Sequence, residues 1–253
     1  MKNFIKIASS LIILLSCIIS TTVNAQGLIN NGAKIVITAS LNIYIDGTTG
    51  NYTSQSNGII TDNTGSTITL AGNWINNSTN TGFSSNGSTV VLTGSSKTIG
   101  GVNSTTFHNL KISNAAGITL GINPGIATVD TVTIQNAATL TVTNSTLQIK
   151  GAIVNSGTFD ASNGTIEMNG SNAQTIPSGT FQTSLIKDLT INNSAGVTLG
   201  GAFGITGVLT LTQRAVDYGW IPYFKIFCFS NGKSGACNRW QYLRQCYRRT
   251  LYI

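Results

Sequence analysis

Between Gln26 and Gln213 the chain has no cysteine, no arginine and a single histidine, His108. It also has little proline, few aromatics and few charges. Each shortage excludes something. Without cysteine this region cannot be a disulfide-stapled scaffold, so its stability has to come from its core. Without arginine, and with five lysines against six carboxylates, it lacks the clustered cations that phosphate-backbone binding needs. No stretch after the N-terminal segment reaches the about 20 apolar residues of a spanning helix, so no transmembrane anchor is expected. There is no GxSxG, no Walker loop and no GxGxxG.

The formal net charge of +7 divides unevenly: +2 in residues 1–25, −1 in 26–213 and +6 in 214–253. The body is nearly neutral, and the basic balance belongs to the ends. Residues 1–25 read as a secretory signal. Lys2 and Lys6 supply the positive start, Ile7 to Ile19 a short apolar run, and Val23-Asn24-Ala25 a cleavage site before Gln26. Leu14-Leu15-Ser16-Cys17 loosely resembles a lipobox, but Leu15 fits it poorly and Ile18-Ile19 is unusually apolar for a mature terminus. The expected location is therefore secreted or cell surface, on the outer membrane exterior.

What the body does have is a repeat. The segment from Gly72 to Gly121 returns from Gly151 to Gly200, with Gly87 matching Gly164, Ile99 Ile176, Leu110 Leu189 and Leu120 Leu199. Self-similarity at a fixed period marks a stacked array whose units bury their apolar faces on one another. Within the repeat, Val90-Val91-Leu92, Leu110-Lys111-Ile112, Val132-Thr133-Ile134, Leu140-Thr141-Val142, Thr146 to Ile149, Thr165 to Met168 and Leu189-Thr190-Ile191 alternate apolar and polar residues. Such β-branched alternation predicts strands buried on one face. The pairs Asn86-Gly87, Asn163-Gly164 and Asn169-Gly170 predict turns with positive φ.

The expected fold is all-β, a right-handed parallel β-helix (β-solenoid) with a Val/Ile/Leu core. Serial β-sandwich domains are the alternative. A generic coil of roughly 20–26 residues gives three or four coils per repeat. Helix is expected only in the signal and, at most, a short N-terminal cap. The domain reading is 1–25 signal peptide, 26–66 N-terminal cap and first coils, 67–213 β-solenoid repeats, and 214–253 an aberrant tail.

Parallel β-helices can carry polysaccharide lyases and hydrolases, whose chemistry needs clustered carboxylates. Here the nearest acidic pair on neighbouring strands is Asp160 and Glu167, read as solvent-facing residues flanking Asn163-Gly164, while Asp130 and Asp188 stand alone. His108 has no cysteine or acid at ligand spacing, and Cys228, Cys237 and Cys246 lack zinc-site spacing. Trp74 and Phe83 fall where the second repeat has Ile153 and, nearby, Phe159, which argues for core packing over a binding platform. No catalytic, cofactor-binding or metal residue is assigned. The expected function is a non-enzymatic structural or adhesive module. A polysaccharide-binding or polysaccharide-degrading β-helix is the rival. Surface glycans or other cell-surface proteins are the expected partners, and nucleic acid is not.

The motifs Gly72-Asn73-Trp74-Ile75-Asn76, Val90-Val91-Leu92-Thr93-Gly94, Phe107-His108-Asn109-Leu110-Lys111-Ile112 and Gly117-Ile118-Thr119-Leu120 resemble the repeats of long secreted surface proteins of Bacteroidetes. The second copy supplies Gln174-Thr175-Ile176, Leu189 to Asn193, Gly196 to Leu199 and Val208 to Leu211. The resemblance covers about residues 66–213 and implies cargo of the type IX secretion system. Such cargo commonly ends in a sorting domain, which this chain does not show. After Gln213 arginine, cysteine, tryptophan and tyrosine become common and threonine nearly vanishes. A frameshift near Gln213 is the expected origin. Read one base later, Trp220 before Ile221 and Trp240 before Gln241 must each encode glycine, whatever codons are used.

Overall fold

The computed structural model describes residues 27–212 except 39, 47–49, 63–64 and 122–125. It also places the short strands Ile5–Ile7, Val23–Ala25, Phe229–Ser230, Lys233–Ser234 and Leu251–Tyr252. Most of the proposed signal and of the proposed aberrant tail lies outside the described residues.

Among the described residues every ladder between two body strands is parallel, and the strands stack as a β-solenoid of about eight turns. The register resolves three faces, visited in the order A, B, C. Face A runs from Gly27–Asn31 through Asn51–Ser56, Trp74–Ser78, Lys97–Gly101 and Ile118–Leu120. Face B begins with Lys34–Ile37, Ile59–Asp62 and Phe83–Ser85. Face C begins with Asn42–Ile45, Thr67–Leu70 and Thr89–Leu92. From Thr105 onwards single strands bend around corners: Thr105–Ile112 and Ile126–Ile134 each supply faces B and C, and Thr139–Ile149 and Thr158–Met168 supply A and B. A β-sandwich needs antiparallel sheets packed face to face, so the parallel ladders dispose of that alternative. Among the described residues the only helix is the 3-10 turn Gln182–Ser184.

The alternation in the sequence becomes the inside and outside of this tube. In Thr67–Leu70, Ile68 and Leu70 are buried while Thr67 and Thr69 face out. Each inward residue stacks on its counterpart one coil away: Tyr52, Trp74, Ile99, Leu120 and Val142 form one column on face A. Trp74 is fully buried, with Tyr52, Phe83 and Phe107 rings 4.4, 5.1 and 5.1 Å from its own. Its Nε1–H donates to Thr105 Oγ1 at 3.2 Å. Phe159, Phe181 and Phe203 form a second stack nearer the C-terminal end. Each fully buried aromatic or aliphatic side chain contributes about 1.5–3 kcal/mol. A core that recurs in every coil therefore stabilises the tube without cross-links.

Polar groups are paired from coil to coil both on the outside of the tube and within it. Asn51 Oδ1 accepts from Asn73 N at 2.7 Å, and Asn73 Oδ1 accepts from Thr98 N at 2.9 Å. Asn76 is the centre of another cluster. Its Oδ1 accepts from Ser54 Oγ at 2.9 Å and Ser78 N at 3.1 Å. Its Nδ2 donates to Thr81 O at 2.9 Å and Ser104 O at 2.7 Å.

Three expectations change. Gly87 has positive φ, but Gly164 and Gly170 do not. Those two are glycine because an added Cβ would overlap Val142 O and Lys150 O of the coil beneath. Second, Ile5–Ile7 and Val23–Ala25 are strands, not helix, pairing in parallel with Leu28–Asn30 and Ile43–Ile45. The free edge of the first coil offers them backbone partners. Third, the sequence repeat is not a whole number of coils. Trp74, Ile99 and Leu120 stand on face A, whereas their matches Ile153, Ile176 and Leu199 stand on face C. Leu110 on face C likewise matches Leu189 on face B. Each repeat spans three coils and two further faces.

Candidate functional site

The two carboxylates that came nearest to a catalytic pair are separated by a corner. Asp160 belongs to face A, in register with Thr141, and its Oδ1 accepts from Ser162 N at 2.9 Å. Glu167 belongs to face B, between Gln148 and Thr190 in register. It accepts from Gln148 Nε2 at 2.9 Å and from Asn192 Nδ2 at 3.1 Å. The strand Thr158–Met168 carries both residues around the bend, so they look out on different sides of the tube.

Asp188 has structural partners as well. Asp188 Oδ1 accepts from Val208 N at 2.7 Å, and Asp188 forms an ion pair with Lys187 at 3.7 Å. The main-chain oxygen of Asp130 accepts from Gly151 N at 2.7 Å. Half-buried His108 sits where Thr105–Ile112 turns from face B to face C. Among the described residues no three His, Cys, Asp or Glu side chains converge as a metal site.

One acid was overlooked in the sequence. Asp62 is fully buried at the end of Ile59–Asp62, where its Oδ2 accepts from Ser66 N at 3.1 Å. The signal was present: Asp62 is two residues from the inward Ile60, hence on the same side of the strand. Trp74, Phe83, Ile153 and Phe159 are all buried, as core packing requires. Tyr52 is another buried polar aromatic. Burial pushes its phenol well above the ordinary value, against smaller opposing effects of hydrogen bonds with Ser54 and Asn30. Its hydroxyl donates to Gly82 O at 2.9 Å.

The concave feature of note is an open groove of about 640 Å³ along face B. Thr61, Ser84 and Thr106 form its floor, the loops at Asn80 and Asn103 one wall, and Lys34 lies at its N-terminal end. Ile59 is the apolar lining residue. Hydroxyls and amides at the spacing between neighbouring coils, about 4.8 Å, can hydrogen-bond a polyol. Among the described residues no carboxylate lines the groove. Among the described residues no helix is long and apolar enough to cross a membrane. No family model, curated protein or solved structure matches this chain.

Proposed function

We propose that the body is a non-enzymatic structural or adhesive module of an exported cell-surface protein. One observation carries this reading: the structure is a three-sided solenoid with a continuous core and outer faces rich in hydroxyls and amides. Dispersed carboxylates, with those of Asp160, Glu167 and Asp188 held by structural partners, support it further. The signal-like N-terminus and the resemblance to Bacteroidetes surface repeats support export to the cell exterior. The same resemblance, with the abrupt change of composition after Gln213, supports a frameshifted tail. Sequencing the gene tests that point: a stop in the shifted frame within the tail, or failure to extend the repeat, refutes it.

The adhesive reading is tested by coating beads with the full chain and measuring retention on cells and on purified surface polysaccharides. Retention no greater than that of beads coated with an inert protein refutes it. The groove on face B favours a second reading, binding of a neutral polysaccharide without cleavage. Affinity electrophoresis in a panel of polysaccharides tests this, with Thr61→Lys and Thr106→Lys expected to abolish retardation. Release of reducing sugar that Asp160→Ala abolishes would instead establish an enzyme.

A further inference from the structure

Among the described residues the inward-facing columns lose cover towards the two ends of the tube. On face B, Ile149 and Met168 are fully buried, Ile191 is half-buried, and Leu211, next in the same register, is 56 % exposed. On face C, Ile176 is buried and Leu199 half-buried. Phe203 ends its stack half-buried above the buried Phe159 and Phe181. The N-terminal end mirrors this. Leu28, Ile35 and Ile43 are half-buried, while Tyr52, Ile60 and Ile68 one coil further in are buried. The half-buried apolar residues packed against the core belong to these two ends.

The ends complement each other. A parallel solenoid presents one side of its strands at its first coil and the opposite side at its last, with the three faces in the same order. A second copy turned by one face can therefore continue the stack, its first strands on faces A, B and C following the last strands on C (Val197–Leu199), A (Gly204–Ile205) and B (Val208–Leu211), with aliphatic residues at the inward positions. This contact is heterologous, so repetition produces open filaments.

In the full chain the N-terminal end is partly closed. Ile5–Ile7 covers the face A edge, and Val23–Ala25 the face C edge. At the other end, Leu251–Tyr252 pairs antiparallel with only Val208 and Leu209.

We propose that the two ends of the solenoid form a head-to-tail self-assembly interface, shut by the N-terminal segment and opened when that segment is removed. The switch rests on the reading of residues 1–25 as a cleaved signal, and the assembly interface does not. A full-length chain carrying a protease site between Ala25 and Gln26 tests it, by light scattering and electron microscopy before and after cleavage. The uncut protein is expected to be monomeric and the cut protein to form filaments that lengthen with concentration. A cut protein that stays monomeric, with an unchanged circular dichroism spectrum, overturns the interface. Equal assembly before and after cutting overturns the switch alone.

Two variants test the geometry. Ile35→Lys blocks the first coil and Leu211→Lys the last. Each alone is expected to remain monomeric, and their equimolar mixture to stop at dimers, because each keeps one working end. Val154→Lys, on an outward position of face C, is expected to assemble like the parent. Filaments from either blocked variant, or loss of assembly in Val154→Lys, would show that copies meet through another surface. N-terminal sequencing of the exported protein and the bead assay judge the signal and adhesive readings independently.

Discussion

Asn76 provides the sharpest test of how the tube is held together. Its amide spans three levels of the stack, accepting from Ser54 below and donating to Ser104 above. It also closes the local turn through Ser78 N and Thr81 O. A net worth of about 1 kcal/mol per hydrogen bond puts Asn76→Ala at about 4 kcal/mol of lost stability. Its neighbour Asn77 points outward and accepts one exposed bond, from Val102 N at 3.0 Å. Asn77→Ala is therefore expected to cost no more than about 0.5 kcal/mol. Asn76→Asp adds a signature that loss of packing cannot mimic. Its carboxylate would face Thr81 O and Ser104 O with no proton to donate, so its pKa in the folded chain is raised. That variant is most destabilised at neutral pH and recovers as pH falls towards about 4, the ordinary value for the unfolded chain. Urea titration is the assay, followed by tryptophan fluorescence in a Trp220→Phe, Trp240→Phe background that leaves Trp74 as the reporter, and by amide exchange, because stacked arrays can unfold one part at a time. Losses for Asn76→Ala and Asn77→Ala within about 0.5 kcal/mol of each other would refute the reasoning.

Other outcomes follow from the same geometry. Gly82→Ala is expected to lower the melting temperature more than Gly100→Ala. Gly82 has φ of 68° and its Cβ would overlap the Asn76 side chain, whereas Gly100 has open space. Stability should fall as pH rises above about 10, since the unfolded chain ionises tyrosine there while buried Tyr52 holds its proton. Alkaline melting curves in which Tyr52→Phe keeps the full decline would refute that assignment. Phe181→Ala, in the middle of the second aromatic stack, should cost about 3–5 kcal/mol by urea titration. Reducing agent should leave the melting temperature of the body unchanged, because the described coils contain no cysteine.

Inward and outward positions were legible because strand periodicity is local. The alternation in Leu140 to Val142 and Thr165 to Met168 assigns every side chain without reference to the rest of the fold. Corners were less legible. Asn163-Gly164 reads as a turn between two strands, yet Thr158–Met168 continues through it as one bent strand. The requirement on Gly164 comes from Val142 O, one coil away, and local sequence cannot display a contact with another coil. The same ignorance of corners left open whether Asp160 and Glu167 shared a groove. Replacement of Trp74 by Ile153 pointed correctly to core packing, although the two residues stand on different faces. Sequence similarity there preserves burial without preserving azimuth.

That azimuthal slip has a consequence for any longer array of these repeats. Each unit advances three coils and two faces, so three units make eleven complete turns and restore the starting orientation. At about 4.8 Å per turn, a given motif would reappear on the same side of the rod roughly every 53 Å. Between those points it would look out in the other two directions. A ligand or neighbour that reads one motif would thus meet a sparse row along any one side, while the rod as a whole offers that motif all round.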